Sequence, residues 1–108
     1  MPSYISNYGY FRNSGRVYVD KRLAYCPYGQ CGVRFENGKI ILVSYFTYVI
    51  EIDNDGWLTC SGTYSATTCK HIAAFMKEYT HTSYYTAKKC YEENKQYNIY
   101  TGEFRDLQ

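Results

Sequence analysis

The chain holds no apolar run of the roughly 18–20 residues that a membrane-spanning helix requires. Even the stretch from Ile40 to Ile52 is interrupted by Ser44, Thr47 and Glu51. Met1-Pro2-Ser3 does not open a signal peptide, so a soluble cytoplasmic protein is expected. A dominant sign of charge is missing too. Twelve basic residues against ten acidic ones leave a net charge of +2, short of the strongly basic face typical of nucleic-acid binders. Paired catalytic carboxylates are absent: Asp53 and Asp55 share a turn, and Glu92-Glu93 fall on a solvated helix. A Cys–His nucleophile needs a third orienting group and an oxyanion pocket, and no residue pattern specifies either, so no enzyme is expected. No repeat or low-complexity segment divides the 108 residues, which points to a single domain over 1–108 with one modest core.

Tyrosine is what the chain has in excess. There are 15, and aromatics make up 19% of the residues. Tyr offers a large ring, a wet hydroxyl and few torsions to freeze, and so supplies contact area at interfaces cheaply. Its plainer use is on half-exposed strands, where its propensity is high. The whole set tilts the surface toward partner binding.

Short β patterns fill the first part of the chain. Tyr4 to Phe11 reads as an edge strand, and Arg16-Val17-Tyr18-Val19-Asp20 alternates with the period of a strand. Cys31, Val33 and Phe35 fall on one face of the next. Glu36-Asn37-Gly38-Lys39 is a hairpin signal, because Asn-Gly accepts both left-handed positions of a type I′ turn. The apolar run after it is too long for one strand and is split near Ser44–Thr47. Asp53-Asn54-Asp55-Gly56 turns the chain into Trp57–Cys60; it lacks the far acidic ligand of a calcium loop. Ser65 or Thr67 can cap a helix whose Ile72, Phe75, Met76 and Tyr79 build one apolar stripe. Ser83 can cap a second helix to about Lys95, with Tyr84, Ala87 and Tyr91 on one side, and Asn98-Ile99-Tyr100 suggests a last strand. Strands first and helices last describe an α+β fold: a twisted antiparallel sheet from the N-terminal two-thirds with two C-terminal helices packed on one face.

Five cysteines, an odd number in a cytoplasmic chain, do not suggest a disulfide framework. Cys26-Pro27-Tyr28-Gly29-Gln30-Cys31-Gly32 places two of them across a turn, where facing Cβ atoms lie about 4.5–5.5 Å apart. Two thiolates at that separation can share a structural zinc ion. The frame resembles the knuckle of zinc-ribbon proteins, with a longer spacing between the cysteines. Cys60, Cys69 and His71, with Cys90 or His81 behind them, are the candidates for the remaining ligands. Cys69 and His71 lie about 200° apart on a regular helix, which hinders joint ligation. Burial as small hydrophobes and a stray disulfide are the alternatives for these cysteines.

The block containing Ser44-Tyr45-Phe46-Thr47 and Tyr64-Ser65-Ala66-Thr67-Thr68-Cys69-Lys70-His71-Ile72 resembles a group of small proteins found in phages and prophages of Gram-positive bacteria. The resemblance runs from about Gly38 to Tyr79. It implies, as a class, a phage-encoded anti-defence binder in the cytoplasm of the host cell. Such a binder would occupy a surface of a host complex in the manner of anti-CRISPR proteins that inhibit Cas9 (type II), with Cas9 the expected partner. Two alternatives accompany it. One is a single-stranded nucleic-acid module, with Tyr rings stacking on bases and Lys88, Lys89 and Lys95 near phosphate; the charge balance does not favour direct nucleic-acid binding. The other is an accessory structural protein of the phage particle.

Overall fold

The computed structural model describes residues 19–23 and 31–107. The expected strand at Tyr4–Phe11, most of that at Arg16–Asp20, and Cys26 with the turn after it lie outside these residues. The architecture is the expected α+β: β1 (Cys31–Glu36), β2 (Lys39–Ser44), β3 (Thr47–Ile52), β4 (Trp57–Cys60), α1 (Ala66–Tyr79), α2 (Tyr84–Glu93), β5 (Lys95–Asn98) and β6 (Phe104–Asp106). The six strands form one antiparallel sheet in sequence order.

Local chemistry sets the turns. Asn37 and Gly38 hold φ of 53° and 80° between the paired Glu36 and Lys39, the two left-handed positions that a type I′ hairpin demands. The long apolar run divides at Tyr45-Phe46, between the paired Ser44 and Thr47, with a register shift at Leu42/Val43. Gly56 has φ of 89°, and a Cβ there would sit 2.5 Å from the Tyr100 ring. The turn therefore needs glycine twice over, for its backbone conformation and for the close approach of Tyr100.

Ser65 caps α1, its side chain accepting from the Thr68 N–H, and Ser83 caps α2 through the Tyr85 N–H. Both helices lie on one face of the sheet. Leu42, Ile50, Ile52 and Leu58 meet Ile72, Phe75, Met76 and Ala87 in the main core. On α2 the buried residues are Ala87 and Cys90. Tyr91, expected on the apolar side, is exposed, because α2 rests on β4 and β5 with Ala87 and Cys90 turned toward the sheet. A strand follows the helices, as expected, but it runs over Lys95–Asn98 with Ile99 and Tyr100 in the turn after it, and β6 comes next. Asn94 adopts the left-handed conformation at the C-terminus of α2 (φ 53°, ψ 55°) and reverses the chain into β5, which joins the sheet beside β4.

A smaller core covers the other face of the sheet. Val19 packs on Ile41 and Val43, with Tyr48 at its border, while Lys21 bridges to Val33 beside β1. No helix among the described residues is long and apolar enough to cross a membrane.

Phe75 is fully buried between helix and sheet. Phe75→Ala is expected to cost about 3–5 kcal/mol, read as a lowered midpoint in urea unfolding with an unchanged slope.

Candidate functional site

The two segments singled out in the sequence meet at one end of the sheet. β2 ends at Ser44, whose side chain is turned into the interior beneath the first turns of α1. Its Oγ lies 3.1 Å from Thr68 Oγ1 and 2.9 Å from His71 Nδ1. All three side chains are buried, His71 completely. The Ser65 hydroxyl donates to Thr68 Oγ1 at 3.2 Å. A hydroxyl has one proton, so the arrangement that satisfies every member runs in one direction. Ser65 donates to Thr68, Thr68 to Ser44, and Ser44 to His71 Nδ1. That assignment leaves the imidazole proton on Nε2, a tautomer inferred from the network.

This order, a serine hydroxyl donating to an imidazole nitrogen, is that of a nucleophile and its base. Ser44 is only 2% exposed, however, and a reacting carbonyl must approach to about 3–3.5 Å. In this conformation the relay therefore fastens α1 to the end of β2.

Above the relay the chain presents aromatic side chains on unusual backbone. Tyr45, in the two-residue turn after Ser44, has φ of 56°, and Tyr64, just before the α1 cap, has the same value. A bulky side chain at such a φ costs about 1–2 kcal/mol. Each is held by tertiary contacts. The Tyr45 ring lies 5.8 Å from the His71 ring, centroid to centroid. The Tyr64 hydroxyl is 2.8 Å from Ser61 Oγ, which donates to the Tyr48 carbonyl at 3.1 Å. The Tyr64 ring also lies over Gly62, where an added Cβ would approach it to 3.2 Å. Phe46 is 45% exposed and Tyr64 60%. The result is a projecting aromatic end on a rigid buried base.

The cysteines fall into two groups among the described residues. Cys31 is disulfide-bonded, so in this state its sulfur is no thiolate for zinc; Cys26 lies outside the described residues. Cys60, Cys69 and Cys90 are free thiols. Cys60 donates to the Gly62 carbonyl at 3.5 Å, and Cys69 Sγ lies 3.7 Å from the Thr63 carbonyl oxygen and 3.4 Å from the Tyr84 hydroxyl. His71, turned to Ser44, shares no ligand set with Cys69. Among the described residues no three of His, Cys, Asp and Glu stand close enough to hold a metal ion. Burial pushes the Cys60 thiol up and, with Cys60 as neighbour, raises Cys90 to about 12. Tyr84 is raised to about 12 as well, first by its hydrogen bond with Cys69 and then by burial.

Sequence reasoning reached Ser44, the Ser65 cap and His71 as parts of one pattern but missed what joins them. The left-handed tyrosines were missed too; a two-residue turn lacking Gly or Asn was the available signal. Residues 9–95 match a family of unknown function (DUF8033), and the chain belongs to that family. The match takes in the whole relay and both tyrosine turns and ends at the start of β5. No curated protein and no solved structure matches the chain.

Ser44→Ala removes the hydroxyl that links Thr68 to His71 and is expected to cost about 1–3 kcal/mol in chemical unfolding. The raised thiols and tyrosine set an alkaline limit. Between about 9 and about 12 the unfolded chain ionises Cys90 while the fold holds it neutral, so protons are bound more tightly by the native state. Stability is expected to fall as pH rises through that window, with Cys60 and Tyr84 acting in the same direction. Urea midpoints measured from neutral to alkaline pH check the sign.

Proposed function

We propose that this chain is a non-catalytic binding protein that acts by covering a surface of a host nuclease complex. Cas9 is the partner implied by its resemblance to small phage proteins. The observation that carries the reading is the aromatic end. Two tyrosines, the half-buried Tyr45 and the exposed Tyr64, are kept in left-handed backbone next to the relay in the chain, and strain of this kind persists only where the surroundings over-determine it. An interior relay beneath them supplies that rigidity, and aromatic side chains fixed in advance lose little entropy on binding a partner. A zinc brace would join this reading only in a reduced chain, since Cys31 is otherwise disulfide-bonded.

Charge placement supports a protein partner over single-stranded nucleic acid. Lys88, Lys89 and Lys95, the lysines suited to phosphate, are within ion-pair distance of Glu92, Glu93 and Asp106. Phosphate would have to compete with those carboxylates.

Pull-down with Cas9 from a Gram-positive host, followed by a DNA-cleavage assay, tests the reading. The chain is expected to retain Cas9 and slow cleavage. The double variant Phe46→Ala/Tyr64→Ala should weaken retention by roughly tenfold or more, with a thermal midpoint close to that of the parent chain. Absence of retention, or undiminished retention by the double variant, rejects it. Salt-sensitive binding to single-stranded DNA with no Cas9 capture moves the assignment to nucleic acid.

A further inference from the structure

Arg105 is set apart from most of the other described cations. Lys21, Arg34, Lys39, Lys88, Lys89 and Lys95 each have a carboxylate within ion-pair distance. The Arg105 guanidinium has none among the described residues and is instead fixed in place by uncharged groups. It lies 3.9 Å over the centroid of the Trp57 ring, and its Nε donates to Gln96 Oε1 at 2.8 Å. Gln96 Nε2 in turn donates to Thr59 Oγ1 at 2.9 Å. Stacking and the Nε bond orient the plane beside an open pocket of about 570 Å³, lined by Gln96, Arg105, Asp106 and Leu107. The acid beside it, Asp106, pairs with Lys95 at 2.9 Å, and these two share the other face of the β5–β6 ribbon.

The strand that carries Arg105 has an open side. β6 is the last strand of the sheet. Its inner hydrogen bonds follow from the hairpin: the Asn98 N–H donates to the Glu103 carbonyl, and the Leu107 N–H to the Asn94 carbonyl. By antiparallel alternation Arg105 turns its own N–H and C=O inward to Gln96, while Phe104 and Asp106 direct theirs outward. All three residues are exposed. A row of outward amides and carbonyls beside an oriented, uncompensated guanidinium combines two recognition elements. The backbone accepts an added strand, and the planar fork accepts a carboxylate in bidentate fashion.

We propose that β6 is a docking edge for an extended acidic peptide segment, which pairs with the outward groups of Phe104 and Asp106 and places an Asp or Glu carboxylate on Arg105. This edge stands whether or not the tyrosine end binds Cas9.

The test uses the full chain and a short blocked peptide of alternating Thr and Glu, with a Thr–Gln peptide, a thymidine oligonucleotide and inorganic phosphate as comparisons. Trp57 is the chain's one tryptophan, so its fluorescence reports directly on the stacked guanidinium. A saturable change is expected with the Glu peptide, together with slowed hydrogen exchange at the Phe104 and Asp106 amides. Affinity should fall roughly tenfold for the Gln peptide, and by a similar factor in Arg105→Gln. Asp106→Pro deletes an outward N–H, which an edge strand tolerates. It should abolish the peptide's protection of Phe104 while leaving the protected β5 amides unchanged. Equal binding of the Gln peptide, no response to the Glu peptide, or saturation by oligonucleotide or phosphate in its place each overturns the proposal.

Discussion

The hydrogen bonds of Ser44 to Thr68 and His71 tie the sheet to the first helix. The Ser44 hydroxyl is the last polar group of β2 and lies beneath α1, buried with Thr68 and His71 around it. A buried hydroxyl is costly unless its donor and acceptor capacities are met. Here they are met by Thr68 and His71, which seats the N-terminal turns of α1 over the end of β2. Apolar packing alone is tolerant of small slides; a directional chain from Ser65 through Thr68 and Ser44 to His71 is not. With α1 placed, Phe75 and Met76 enter the space above Leu42, Ile50 and Leu58. The main core then closes around them.

Much of this fold can be read from local residue chemistry. Asn37-Gly38 needs no tertiary help to make its turn, and Ser65 and Ser83 cap their helices through bonds to residues two or three positions away. Ile72, Phe75 and Met76 mark their own face. The C-terminal part was less legible because its information is not local. β5 and β6 are short, and polar residues dominate them. They are strands because Asn94 turns the chain back toward β4, and because Gln96 and Arg105 find Thr59 and Trp57 on the sheet. Tyr91 sits at helical spacing from Ala87, yet it is exposed, since the sheet lies on the Cys90 side.

The candidate site divides along the same line. Its members Ser44, Thr68 and His71 stand in recognisable segments, but the hydrogen bonds joining them span 24 and 27 positions, beyond any periodicity. Cysteine shows a different limit. The spacing of Cys26 and Cys31 suggested a shared metal, with a disulfide as one alternative, and Cys31 is disulfide-bonded; cysteines close enough to share zinc are also close enough to oxidise. Sequence spacing cannot separate the two outcomes, because redox state is a property of the surroundings.

The aromatic end and the interior relay depend on one another. Tyr45 at φ 56° would relax to a commoner conformation in an isolated hairpin, where the about 1–2 kcal/mol of strain has nothing to oppose it. It is held because Ser44 before it is pinned inward and Thr47 after it is paired back to Ser44, leaving two residues to complete the reversal. Tyr64 is held by its hydroxyl at Ser61 on one side and the Ser65 cap on the other. Each strained tyrosine thus adjoins a residue of the relay in the chain. The backbone that places both rings is therefore continuous with the residues that form the relay. The buried hydroxyls thus help to set the backbone from which the exposed rings project, while truncating those rings leaves the buried bonds between Ser44, Thr68 and His71 in place.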